Sequence, residues 1–271
     1  MKLSFNGATS MRADLVTDIK AASAAGFDYL EIWAAKLRVF LQTNTTSDLK
    51  RLFDENNLKP YSINSIEHIT FRNDEDYAKI KAECEELSRV AAEIDCPFVV
   101  VVPGKLPDEA NKDLIVTESV RVLNELGDIA EKFNISLAFE FLGQADCSVQ
   151  TLCLAGEIVK RVNRKNIGLV LDSFHFYAGG STFESIDALD AEKLFIFHIN
   201  DSEDRPKDEL NDSHRLLPGL GILPLKEIKA AFDRIGFDKI ASVEIFRPEY
   251  WERDPFELAR DARASMVNVL N

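Results

Sequence analysis

Along this chain, short apolar runs alternate with longer stretches that repeat apolar residues at helical spacing. The runs of strand length are Leu3 to Ala8, Tyr29 to Trp33, Pro60 to Ser65, Phe98 to Val102, Ser136 to Leu142, Ile167 to Leu171, Leu194 to Ile199 and Ile240 to Phe246. Helical patterns follow them. One runs from about Ala13 to Ala25 and is closed by Gly26, a normal helix stop. Another, from Asp113 to Phe133, repeats Val116, Val120, Leu123, Ala130 and Phe133 on one face. Near-continuous apolar strands separated by helices imply a parallel sheet buried on both faces. Eight such units predict closure into a (β/α)8 TIM barrel. An open doubly wound sheet would want a Gly-rich phosphate turn after the first strand, and Phe5-Asn6-Gly7-Ala8 is not one. The polar stretch from Asp201 to Ser213 reads as the longest loop, on the face where barrel active sites sit.

A length of 271 residues suits one such barrel, and no linker or low-complexity tract divides the chain, so residues 1–271 are expected to form a single domain. No apolar stretch approaches the roughly 20 residues needed to span a bilayer. The N-terminus lacks the pattern of a signal peptide, so a cytoplasmic location and no membrane partner are expected. The formal charge of −14 argues against nucleic acid as a partner. Cys84, Cys96, Cys147 and Cys153 form no CxxC pair and are expected to be reduced and mostly buried thiols.

The candidate chemistry lies where charge interrupts dry strands. Glu140 sits in Leu-Ala-Phe-Glu-Phe-Leu, Asp172 ends Gly-Leu-Val-Leu-Asp, His198 sits in Phe-Ile-Phe-His-Ile, and Glu244 sits in Ser-Val-Glu-Ile-Phe. They occupy the C-terminal ends of the fifth to eighth strands, which neighbour one another around a barrel. Buried carboxylates need a partner, and three together would repel one another; one divalent cation resolves both costs. The competing reading is a hydrogen-bond network that orders the barrel mouth. Oxygen-rich ligation with a single imidazole suits Mn²⁺ first, with Mg²⁺, Co²⁺ and Zn²⁺ behind it. His175, three residues past Asp172, is expected to turn toward a substrate. His68, His214, Arg215 and Arg247 follow other strand ends, and Arg247 is placed either to clamp a substrate or to pair with an acid.

These residues carry a family resemblance. The segments Gly168-Leu-Val-Leu-Asp-Ser-Phe-His-Phe176, Phe195-Ile196 with His198-Ile199, and Ser242-Val-Glu244 with Phe246-Arg-Pro-Glu-Tyr250 resemble the xylose-isomerase-like TIM barrels, a group of sugar isomerases and epimerases that includes endonuclease IV. Within it, the resemblance is strongest to the inosose (2-keto-myo-inositol) isomerases. The family's metal ligands fall on Glu140, Asp172, His198 and Glu244. The resemblance implies isomerisation or epimerisation of a keto-polyol, an inosose or ketohexose, through a metal-stabilised enediolate, with Glu140 and Glu244 as acid and base. It implies His175, His214 and Arg215 as substrate contacts; Arg247 and His68 are further candidates for that role from their places after the strands. Endonuclease IV holds three metal ions; this chain keeps Asp172-x-x-His175 and Asp212-x-His214, but its fourth strand ends Val101-Val-Pro-Gly104 where the nuclease pattern has a His. His68 departs from the inosose isomerases, which tend to be apolar there. The alternative activities are a dehydratase of the 3-dehydroshikimate type and an abasic-site nuclease. Homo-oligomerisation is left open.

Overall fold

The computed structural model describes residues 1–270. Ten strands form: β1 (Lys2–Asn6), β2 (Tyr29–Trp33), β3 (Lys59–Ile66), β4 (Phe98–Val101), β5 (Ser136–Glu140), β6 (Ile167–Asp172), β7 (Leu194–Ile199), β8 (Asp201–Ser202), β9 (Arg215–Leu216) and β10 (Ile240–Val243). Eight of them, all in parallel register, close a barrel in the order β1-β10-β7-β6-β5-β4-β3-β2. The remaining pair, β8 and β9, is a short antiparallel hairpin after β7. Its first strand opens the stretch Asp201 to Ser213 expected to be one long loop, and its second lies just past it. Two-residue strands carry no periodicity to read.

Strand alternation decides what faces inward. Leu137, Phe139, Leu169, Leu171 and Phe197 point outward and join the main core under the helices. Their neighbours Ala138, Val170, Ile196 and Ile240 form a separate cluster inside the barrel with Tyr61 and Val100. Aromatic rings fill it: Tyr29 on Tyr61 and Tyr61 on Phe98 at 5.1 Å, and Phe98 on Phe195 at 4.9 Å. Gly168 makes room for this plug, since a Cβ there would lie 2.5 Å from the Phe195 ring. Two residues further along each strand, the same inward parity delivers Glu140, Asp172 and His198, and from Ile240 it passes through Ser242 to Glu244.

The expected boundaries shift where capping competes. The first helix begins at Leu15, not Ala13, because Asp14 stays extended and accepts a hydrogen bond from Thr17 N at 2.7 Å. Gly26 ends it with φ of 85°, as expected. β1 stops at Asn6, whose side chain caps the turn Gly7–Ser10 by accepting from Ala8 N at 2.9 Å. β4, β5 and β10 end at Val101, Glu140 and Val243, short of the expected Val102, Leu142 and Phe246. Phe141 and Ile245 lie beyond the ladder yet are fully buried, so hydrophobicity alone overruns the pairing. Among the described residues, no helix is long and apolar enough to cross a membrane.

Candidate metal centre

Glu140, Asp172, His198 and Glu244 meet at the C-terminal mouth of the barrel. One donor atom from each lies within 4.8 Å of all the others. Asp172 and His198 are fully buried, and Glu140 and Glu244 are only 3% exposed. Ligands held about 2.0–2.3 Å from one ion sit at most about 4.6 Å apart, so three carboxylates and an imidazole at this spacing fit a single divalent cation after small movements. His198 Nδ1 is the nitrogen aimed at the cluster, 2.8 Å from Glu140 Oε1 and 3.3 Å from Glu244 Oε2.

Neighbouring elements hold each ligand. Asp172 caps the helix Ser173–Ala178: Oδ1 accepts from His175 N at 2.9 Å. Its Oδ2 accepts from Asn200 Nδ2 at 2.8 Å and Arg215 Nη1 at 2.9 Å. Glu244 Oε1 accepts from Asn64 Nδ2 at 2.6 Å and Asn6 Nδ2 at 3.1 Å, and Oε2 from Arg215 Nη1 at 3.1 Å. Glu140 Oε1 lies 2.8 Å from His198 Nδ1.

The electrostatics are those of a crowded anionic site. Burial lifts the Glu140 carboxyl, aided by the Glu244 and Asp172 charges and opposed by His198, to about 7. Burial alone would lower His198, yet the Glu244, Glu140 and Glu31 carboxylates together raise it well above the ordinary imidazole value. Burial pushes Glu244 and Glu31 upward, but His198 outweighs it and both end below the usual glutamate range. Burial lowers His175. Arg215, 1% exposed, donates to Asp172, Glu244 and Asp212 and, at 3.0 Å, to His175 Nε2.

A cavity of about 230 Å³ opens onto Glu140 and Glu244. His175, Arg215 and His68 line it, so the structure brings three of the five expected substrate contacts to the site. The other two lie elsewhere. His214 turns back into its own loop, where Nδ1 accepts from Asn211 N at 3.3 Å. Arg247 pairs with Glu203 at 2.8 Å and Glu249 at 3.3 Å, the acid-pairing option raised for it. Trp33 and Phe246, with ring centroids 5.6 Å apart, form an apolar wall, and Gln144 donates to Asp212 at 2.7 Å across the mouth.

Sequence reasoning missed Glu31, fully buried on β2 behind His198, and the amides of Asn6, Asn64 and Asn200. Glu31 carries the same signal as the others, a charge inside the apolar run Tyr29-Leu-Glu-Ile-Trp33. Asn6 and Asn200 stand at strand ends, where the residue type is common for turn reasons, and Asn64 lies near the end of β3.

Comparison with known proteins agrees with the geometry. The family model described as xylose isomerase-like TIM barrel matches residues 19–268. The inosose isomerase of Bacillus subtilis is 38% identical over the whole chain and 98% of its own length. That of Halalkalibacterium halodurans is 36% identical over the whole chain and 97% of its own length. A crystal structure of the IolI protein with a binding zinc atom superposes with a TM-score of 0.97 at 38% identity, covering this entire chain and 98% of that one.

Proposed function

Because the chain belongs to the xylose isomerase-like TIM barrel family, we propose that it is a divalent-metal-dependent isomerase or epimerase of a keto-polyol, with inosose as first substrate and Mn²⁺ as its ion. The full-length likeness to inosose isomerases supports an enzyme of the isomerase and epimerase class over a dehydratase or nuclease. The observation that carries the reading is the convergence of four ligand atoms within 4.8 Å behind a cavity sized for a small polyol.

A divalent ion held by Glu140, Asp172, His198 and Glu244 supplies Lewis-acid polarisation of a carbonyl. The proton work falls to the two glutamates that face the cavity. Glu140 is tied only through Oε1, leaving Oε2 available to take or return a proton at carbon. Glu244 is fixed by Asn6, Asn64 and Arg215 and serves the adjacent carbon. One removes the proton as base and the other delivers it as acid, with roles exchanged in the reverse direction. His175, Arg215 and His68 hold substrate oxygens, while Trp33 and Phe246 cover the C–H face of the ring.

Glu140→Gln keeps the side-chain volume and removes the base. We expect turnover of inosose by the Mn²⁺-loaded protein to fall by about 10²-fold or more, the usual worth of base catalysis. The far-ultraviolet circular dichroism should not change. Deuterium uptake from D₂O into substrate should disappear with turnover. Retained uptake in this variant removes Glu140 from proton transfer. A product that absorbs in the ultraviolet through new conjugation means elimination and overturns the isomerase reading.

A further inference from the structure

We infer that Glu31 is a positioning residue for the metal centre: its carboxylate holds the proton of His198 on Nε2 and so presents Nδ1, with its lone pair, to the ion. The inference rests on the metal-dependent reading above and goes further, into the polar layer beneath the ligands.

The layer follows from register. Asn6 on β1 pairs with Glu31 on β2, and Glu31 with Ser62 on β3. Inward parity turns all three side chains into the barrel. Asn6 Nδ2 donates to Glu31 Oε1 at 3.3 Å, and Ser62 Oγ donates to Oε2. Glu31 Oε1 then stands 3.0 Å from His198 Nε2. It lies off the axis of the N–H bond, and no other acceptor among the described residues reaches that nitrogen. A carboxylate in a fully dry interior costs several kcal/mol unless it is paired, so its presence under an otherwise apolar strand asks for a reason. An imidazole has two nitrogens, and only a neutral ring with its proton on the far one can ligate through the near one. A carboxylate behind a ligating histidine fixes that tautomer and raises the basicity of the donor. Asn6 adds a second tie, because the same Nδ2 also donates to Glu244 Oε1 at 3.1 Å, linking the positioning carboxylate to a ligand.

The bland reading is a buried ion pair that merely braces the barrel. Affinity and spectroscopy separate the two. Mn²⁺ affinity, measured without substrate by competition with a chelating dye, should fall about 10–100-fold in Glu31→Leu, which removes the acceptor at similar volume. Glu31→Gln, which keeps a neutral acceptor, should lose less. Long-range ¹H–¹⁵N spectra of the Zn²⁺-loaded wild type should show the His198 proton on Nε2, and this measurement needs no variant to fold. A proton on Nδ1 in that spectrum overturns the inference. So does wild-type Mn²⁺ affinity in both variants, even if their melting temperatures fall. If wild type binds no ion at all, the metal-dependent reading falls as well. Loss of inosose turnover alone would leave the Glu31 result standing.

Discussion

Four of the buried ionisable residues at the site were legible because each breaks an apolar strand, and the chemistry that justifies a charge there is narrow. Glu140, Asp172, His198 and Glu244 could be read this way from their segments alone. Arg215 was placed near the site but not as the neutralising cation it is, since its short strand has no apolar run to break. Its guanidinium offsets Asp172 and Glu244 at 2.9 and 3.1 Å. The pH dependence of the metal-free protein follows from the remaining groups. His198, held above its ordinary value, contributes stability that is present below about 6.5 and is lost as pH rises through its folded value. Glu140, raised from 4.5 to about 7, acts in the same direction as pH rises across that interval. Glu31 and Glu244, both lowered, contribute stability that is lost as pH falls below the usual glutamate range. The melting temperature of metal-free protein should therefore peak on the mildly acidic side and decline above neutrality. Bound Mn²⁺ would compete with the His198 proton and should flatten that decline. Scanning calorimetry across pH, with and without Mn²⁺, checks it; a metal-free optimum above pH 8 would contradict the assignment.

At the scale of elements, Tyr29–Trp33 and Leu194–Ile199 were readable to the residue, while β4, β5 and β10 ran long in the reading. Their loops stay buried and apolar to wall the site, so composition gives no sign that pairing has ended. One junction was not legible at all. Lys36, on the helix Ala34–Leu41, reaches back to the turn after β1. Its Nζ donates to Gly7 O at 2.8 Å, Ser10 O at 2.9 Å and Asp18 Oδ2 at 2.6 Å, tying three segments beside the metal mouth. Burial lifts Asp18 to about 6 and lowers Lys36, so the pair is costly to desolvate and serves mainly to fix geometry. Lys36→Met strands a buried carboxylate and should cost about 3–5 kcal/mol in urea unfolding. Adding Asp18→Leu should restore most of that loss. If the double variant is no more stable than Lys36→Met alone, the pair is not the source of the cost.

For the whole molecule, the closed parallel barrel was the most legible property, because eight repeats of one pattern leave few other topologies. The charge of −14 was read as a bar to nucleic acid, and the same field attracts divalent cations toward a mouth already lined with carboxylates. An ion that binds only the folded chain adds about 2.7 kcal/mol at a hundredfold excess over its Kd. Stripping it with a chelator should lower the melting temperature reversibly, and an unchanged melting temperature would mean that the cluster holds no ion. The closure of β1 on β10 carries a consequence for synthesis. Asn6 is made 238 positions before its partner Glu244. Until β10 docks, β1 and β7 present bare edges, and a nascent chain holds Glu31, Glu140, Asp172 and His198 without the strand that completes their site. A chain that stops before residue 244 lacks one of the four candidate ligands. A protein truncated before residue 244 should therefore retain a divalent ion more weakly than the whole chain.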